Sequence, residues 1–409
     1  MTLSQLRPAP GVAIRSLGLV VVAGCLISML SFGPRSVMGL FLAPMTEAHD
    51  WSRETFALAI AIQNLLWGLG QPVAGALADR WGSFRVLAGG ALVYAAGLAI
   101  MSWAPTPLWL HLSAGIMMGL GMAGASFSIV LAALGRRVPA EKRSIVFGIG
   151  TAAGSAGQLL FAPLGQALII AYGWSQALVM LGAMMLIIPL LATAFAGTEA
   201  APSGPVRQQS LKEAMLEAFG WRSYNLLVAG FFVCGFHVAF ITTHLPPYIV
   251  DIGLPASVGA WAIALIGLFN IVGALASGVI AQHFPKPMLL SFIYLGRGVA
   301  ITLFVLLPPS NVTVLLFAAT MGLLWLSTVP PTSGLVALMF GPRYMATLMG
   351  ITFFSHQVGA FLGVWLGGWL YDRTGSYDMF WWIGVALAVF AGIVHWPIRE
   401  RPAPGVVPA

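Results

Sequence analysis

Two arginines, Arg35 and Arg297, stand inside long apolar runs of the sequence, where a fixed charge costs several kcal/mol unless a cavity or a partner receives it. A guanidinium offers a planar fork of donors that matches a carboxylate. Arg35 lies 20 residues beyond Arg15, about 30 Å along an ideal helix, and 12 before Glu47. It is therefore expected in the outer half of its helix and is the first candidate for holding a substrate anion, although an arginine at that depth can also snorkel to the headgroups. Arg297, 11 residues beyond Lys286, falls nearer mid-depth and suits a structural role on carbonyls equally well. His237 and His244, seven residues apart, share one helical face, and His356 stands beside Gln357. Imidazole titrates near neutrality, so each of the three is a candidate carrier of a coupling proton, weighed against the commoner packing histidine. Gln63, Asn64, Ser126, Gln158, Asn270 and Trp325 are the remaining candidates for lining the same space, and each is explained as well by hydrogen bonding between helices.

The acids are informative by their placement. All 12 fall in loops or near the ends of the apolar runs, so no carboxylate is expected at mid-depth to neutralise the arginines or to bind a cationic compound. A space that is neutral or positive prefers an anion. The seven histidines show no metal-ligand spacing, and Cys25 and Cys234 both lie in apolar runs. No metal, cofactor or disulfide framework is expected, and an integral-membrane enzyme would lack its catalytic constellation.

The elements that position these residues follow from composition. A chain of 409 residues that is 59% hydrophobic and 8% charged, with mean hydropathy +0.91, needs lipid as solvent. Twelve apolar runs near 16–44, 55–78, 84–104, 108–134, 143–170, 174–197, 223–250, 257–282, 287–307, 311–339, 344–370 and 378–397 predict spans 1 to 12 as membrane-crossing helices. The first run continues to about Phe41, which argues against a cleaved signal peptide. With the amino terminus placed in the cytoplasm, fifteen Lys and Arg fall on that side and only Arg53 and Arg373 opposite. The net charge of +7 thus reads as topology under the positive-inside rule, with both termini cytoplasmic, and not as a nucleic-acid surface. The longest connection predicts a linker, 198–222, between a six-helix bundle at 1–197 and another at 223–409; Leu211, Met215 and Phe219 predict a short surface helix within it.

The halves repeat. At an offset of 202, Gly148, Gly157, Gly165 and Gly173 fall on Gly350, Gly359, Gly367 and Gly375; at 203, Gly75, Gly119, Pro44 and Pro139 fall on Gly278, Gly322, Pro247 and Pro342. Two copies related by an axis along the membrane normal place a solute site between them and allow rocking for alternating access. Gly359, Gly363 and Gly367, with Gly150 and Gly154, are expected where helices approach closely at sliding surfaces.

The stretch Gly75-Ala-Leu-Ala-Asp79-Arg80-Trp-Gly82-Ser-Phe-Arg85 resembles the signature loop of the major facilitator superfamily. Together with the spans, linker and repeat, the resemblance covers the whole chain. It implies an all-α membrane protein of twelve transmembrane helices in two pseudo-symmetric halves, acting as a carrier and not as an enzyme. For Gly75, Asp79, Arg80, Gly82 and Arg85 it implies a conformational latch, in which a carboxylate near a helix amino terminus and a paired arginine are stabilising while the interface stays shut. The second copy, Gly278-Val-Ile-Ala-Gln282-His283, lacks the acid. Phe32-Gly-Pro-Arg35, Trp51-Ser-Arg53, Ile62-Gln63-Asn64-Leu-Leu-Trp67, Thr242-Thr-His244 and His356-Gln357 resemble bacterial relatives of the monocarboxylate transporters and oxalate/formate antiporters. Span 8 departs from both in carrying Asn270 and no arginine, and span 11 has His356 where the oxalate/formate type has a lysine. These departures speak against dicarboxylate exchange and leave the substrate open; with the missing mid-depth acid, the leading expectation is a carrier of a small organic anion, a monocarboxylate, with proton symport through histidine or through the acid's own proton, in a bacterial inner membrane and functional as a monomer. The alternative is a proton-coupled drug or metabolite exporter. It is disfavoured by the missing mid-depth acid and by Gly154-Ser155-Ala156-Gly157, where an exchanging exporter would carry Gly-Pro.

Overall fold

The computed structural model describes residues 17–137, 140–197, 211–340 and 345–403. Among them every regular element is helical, as expected where lipid offers the backbone no hydrogen-bonding partner. Span 1 consists of α1 (Leu17–Ser36) and α2 (Gly39–His49), span 2 of α3 (Arg53–Trp81) and span 3 of α4 (Ser83–Met101). Span 4 runs through α5 (Pro107–Leu110), a π-helical stretch (His111–Met117), α6 (Met118–Gly124) and α7 (Phe127–Arg137). Spans 5 and 6 share α8 (Ala140–Met185), continued by α9 (Ile187–Ala192). The short α10 (Leu211–Gly220) precedes α11 (Arg222–Asp251), α12 (Ala256–His283), α13 (Lys286–Leu306), α14 (Asn311–Leu324), α15 (Val329–Phe340), α16 (Met345–Thr374) and α17 (Asp378–His395).

Eleven stretches among the described residues are long and apolar enough to cross a bilayer. One of them, 152–195, is broken at Gly173, where φ is +79°, a value glycine adopts at little cost. Counted as two, it completes the twelve spans. Arg7, Arg15, Pro139, Pro342, Arg343 and the 198–210 part of the linker, with Arg207, lie outside the described residues. The helix expected in the linker is present as α10, with Leu216 and Phe219 exposed.

The repeat is structural as well as textual. Gly157 of α8 packs on the Met29 backbone of α1, and Gly359 of α16 packs on the Phe232 backbone of α11. In the same way Gly119 meets Gln63 and Leu66 of α3, while Gly322 meets Ile266 and Phe269 of α12. Partners as well as glycines therefore recur, at offsets of 202 and 203. One expectation is corrected by this packing: Gly359, Gly363 and Gly367 lie against α11 inside their own half, and not on a surface that slides between halves.

Span 1, expected as one continuous run, is interrupted at Val37–Met38. Pro34 stands one turn before the break and itself lacks a backbone donor. Tighter bonds from Val37 N to Pro34 O (3.3 Å) and Met38 N to Arg35 O (3.4 Å) close the break. Spans 4 and 10 are likewise interrupted, at Ala125–Ser126 and at 325–328. Several candidate residues sit on these interruptions, where regular helix would have committed the backbone.

Candidate functional site between the halves

Arg35 occupies the last turn of α1, at the interruption of span 1. Its Nη2 donates to Asn64 Oδ1 at 3.0 Å, and its guanidinium lies over the Trp67 ring at 4.5 Å and near the Phe32 ring at 5.3 Å. Its Nε has no acceptor. Among the described residues no carboxylate pairs with it, so a charge held by one amide and two ring faces retains donor capacity.

From Asn64 the network crosses to the second half. Gln357 Nε2 of α16 donates to Asn64 O at 2.8 Å, and Gly68, one helical turn from Asn64, leaves room for the Gln357 stem. With its nitrogen so engaged, Gln357 turns its Oε1 to His356 Nδ1 at 3.0 Å. His356 must then donate from Nδ1. Its ring stacks on Phe353 at 5.7 Å between centroids, and Phe353 in turn meets the Trp67 edge at 5.4 Å. Four residues singled out from sequence, Arg35, Asn64, His356 and Gln357, thus form one connected group. Trp67 and Phe353 close it into an aromatic bridge between α3 and α16. Phe353 carried no sequence signal, since an aromatic in an apolar helix reads as packing.

Other candidates lie on the second contact between halves, α8 against α12. Gln158 Nε2 donates to Ile263 O at 3.2 Å, and Asn270 Nδ2 donates to Ser155 Oγ at 2.9 Å. Asn270 Oδ1 also accepts from Leu326 N at 3.0 Å, bracing the interruption of span 10. Gln63 stays inside its own half, donating to Ala114 O at 2.9 Å. Ser126 lies buried at the interruption of span 4 and its Oγ accepts from Ile129 N at 3.4 Å.

Arg297 is fully buried and is committed to its own half. Its Nε and Nη2 donate to Leu324 O at 3.1 and 2.7 Å, and Nη2 also donates to Trp325 O. These are carbonyls at the carboxyl end of α14, the negative pole of that helix, so a cation there is compensated without an acid. Cys234 Sγ lies 3.5 Å from Nη2. The Trp325 carbonyl is occupied by these donors, and the residue is buried.

His237 and His244 do not join the Arg35 group. His244 donates from Nε2 to Val364 O at 2.8 Å, so its Nδ1 accepts from Tyr377 Oη at 2.9 Å; both ring nitrogens are spent inside the second half. His237 Nε2 donates to Gly384 O at 2.8 Å, again within that half. Their shared helical face turns toward α16 and α17, because rings stacked at Phe236, Phe240 and Phe380 pack there.

A cluster missed by the sequence reading closes one end of the molecule. Arg53 Nη1 and Nη2 donate to both Asp251 oxygens at 2.6 and 2.7 Å, and Nη1 donates to Tyr377 Oη at 3.2 Å. The Asp372 carboxylate accepts from the backbone N–H of Arg53 (3.0 Å) and Glu54 (2.6 Å), so an acid of α16 caps the amino terminus of α3. Trp365 Nε1 donates to Glu54 Oε1 at 3.1 Å. Burial pushes the Tyr377 phenol up from the ordinary tyrosine range, offset in part by Arg53, so it remains a donor to His244. A signal existed: in the topology expected from sequence, Arg53 and Arg373 are the two Lys or Arg placed opposite the rest, and Glu54, Asp251 and Asp372 lie at helix ends.

At the opposite end, Asp79 and Arg80 fall in the last turns of α3, and Gly82 (φ +86°) joins α3 to α4. Asp79 has an interaction partner, while Arg80 and Arg85 are exposed. Gly75 of α3 and Gly350 of α16 have open space where a side chain would project.

A family model described as Major Facilitator Superfamily matches residues 24–364. Over 386 residues the chain is 26% identical to YcxA, an uncharacterised MFS-type transporter of Bacillus subtilis (strain 168), covering 90% of each. It is 27% identical over 372 residues to monocarboxylate transporter 11 of Mus musculus, covering 88% of this chain and 82% of the relative. Among solved structures it is similar to a bacterial homologue of the human lysosomal transporter Spinster in an inward-facing, occupied conformation, with TM-score 0.75, 16% identity and coverage of 95% and 99%. A D-xylose–proton symporter matches with TM-score 0.75, 14% identity and the same coverage of 95% and 99%.

Proposed function

Since the chain belongs to the major facilitator superfamily, we propose that it is a secondary carrier of a small organic anion, a monocarboxylate, moved by alternating access together with a proton. The observation that carries this reading is Arg35, a cation beside the bridge between the halves whose Nε lacks an acceptor and whose hydrogen-bonding side-chain partner among the described residues is the neutral Asn64. A carboxylate arriving there completes an ion pair that the protein itself leaves open. The names of the curated relatives support the same substrate class.

In this reading the anion's carboxylate competes with Asn64 Oδ1 for Arg35, and its organic group rests against Phe32 and Trp67. Asn64 is tied to Gln357, so occupancy is felt in the second half. His356, next to Gln357, is the histidine placed to take up the coupling proton; His237 and His244 serve packing and the closed end. Positive-inside topology puts the Asp79 end in the bacterial cytoplasm. The Arg53 end then faces outward, held by the Arg53–Asp251 pair, with residues 1–197 and 223–409 rocking as units of a monomer. Asp79, Arg80 and Arg85 form the latch that engages when the cytoplasmic end closes.

Counterflow of radiolabelled lactate in proteoliposomes tests the assignment. Arg35→Ala removes a charged hydrogen-bond donor and is expected to weaken apparent affinity by roughly ten- to a hundredfold, with Arg35→Lys between it and the wild type. Wild-type affinity in Arg35→Ala, or competition by neutral sugars equal to that by carboxylates, overturns the proposal.

A further inference from the structure

The lipid-facing wall of the first half is hollowed between α3, α4 and α6 into a groove of about 500 Å³, running from Leu69 and Leu120 to Trp81 and Arg85. Its floor is made by glycine. Gly90 meets the backbone of Gly124 and Ala125, drawing α4 onto α6, whereas a side chain on the neighbouring Gly89 would meet nothing within 4 Å. The walls are apolar and uncovered by protein: Val73 is 61% exposed and Trp81 50%.

The length and the two ends of the groove decide what fits it. From Leu69 to Trp81 is 12 residues of α3, about 18 Å, close to one leaflet's share of a hydrocarbon core about 30 Å thick. At its end Trp81 and Arg85 also line a second hollow of about 260 Å³ with Gly82, Phe84 and residues 195–197. An exposed tryptophan beside an exposed arginine is the pairing expected at headgroup depth. A slot one leaflet deep that ends on a cation complements an anionic amphiphile with a chain of that length.

We propose that the groove between α3, α4 and α6 binds one anionic glycerophospholipid of the leaflet at the Asp79 end, with an acyl chain along the Gly89–Gly90 floor and the phosphate against Arg85. The groove supplies retention of the chain. Arg85 supplies the preference for negative charge, since a guanidinium meets phosphate oxygens with paired N–H donors. The site lies on the lipid face of the helix whose other faces carry Asn64 and Trp67, and it is independent of the solute carried.

Native mass spectrometry of the full-length protein tests this, with phosphatidylglycerol and phosphatidylcholine of matched chains as probes. The wild type is expected to retain one phosphatidylglycerol about fivefold more strongly than phosphatidylcholine, the factor one cation near an anionic headgroup contributes. Arg85→Gln should bring the two to parity, and Gly89→Leu, whose Cβ meets nothing within 4 Å and whose side chain occupies the floor, should lower retention of both. Phosphatidylglycerol with brominated chains should quench a fluorescence component that is absent in Trp81→Phe. The proposal is overturned by equal retention of the two lipids in the wild type, by unchanged phosphatidylglycerol retention in Gly89→Leu, or by full displacement with inorganic phosphate, which would place the affinity in the anion alone.

Discussion

Two of the contacts between the halves, α3 with α16 and α8 with α12, are built differently. Along α3 and α16, charge dominates: Asp372 caps the first turn of α3, Glu54 receives Trp365, and beside them Arg53 grips Asp251 of α11. Deeper, Gln357 joins Asn64 next to Arg35. Along α8 and α12 the bonds are neutral and mid-depth, Gln158 to Ile263 O and Asn270 to Ser155. At the Arg53 end that second contact gives way to a crevice of about 220 Å³ between Gly39–Glu47 and Gln166 on one side and Pro246–Ala256 on the other. Neutral hydrogen bonds contribute about 0.5–1.5 kcal/mol net and charged ones about 1.5–3. The polar bonds that join the halves at the Arg53 end are therefore concentrated in the α3–α16 region and its Asp251 partner, and those of the α8–α12 contact are the weaker set.

The contrast is broken most severely at Arg53. Arg53→Gln removes the bidentate pair with Asp251 and the bond to Tyr377, and is expected to raise the population open at that end by tenfold or more, on the order of 2–3 kcal/mol. Spin labels at Ala48 and Ser257, in opposite halves, report this as a growth of the longer distance; an unchanged distribution would show that Arg53 is not a closing element. A smaller shift is expected from Asp372→Asn, which keeps one acceptor for the α3 amino terminus but loses the charge, on the order of 1 kcal/mol. If both substitutions move the distribution equally, capping and ion pairing act as one unit and Arg53 does not outrank Asp372. The smallest effect is expected for Asn270→Ala. Loss of one neutral inter-half bond and of the brace on Leu326 should lower thermal stability slightly and leave the label distances as they were. A large opening in Asn270→Ala would reverse the assignment of the two contacts.

Fold and site differ in how far they are legible in the sequence. Helix content, twelve spans and the six-plus-six repeat follow from apolar run length, charge placement and glycine spacing, because lipid leaves the backbone few alternatives. The interruptions of spans 1, 4 and 10 do not follow, although Pro34 marks the first. Of the candidates, Arg35, Asn64, His356 and Gln357 come together, whereas His237 and His244 do not join them. Spacing correctly places those two histidines on one face of α11; it does not say which neighbour that face meets, since α16 and α17 come from more than 100 residues further along the chain. Arg53 and its acids escape a sequence reading because charges at helix ends ordinarily belong to solvent.

Arg35 and Arg297 show where the division falls. Residue types and spacing determined that each is a cation inside an apolar helix and that no acid shares its depth. Tertiary packing alone decided that Arg297 turns to the carbonyl end of α14, inside its own half, while Arg35 reaches the bridge between the halves; each keeps one donor without an acceptor, Nη1 and Nε respectively. The reason is physical: a helix surrounded by lipid on one side and apolar side chains on the other is hydrophobic all round, so periodicity sets its existence and length but not its rotation about its own axis. That rotation is fixed only by the neighbours it packs against.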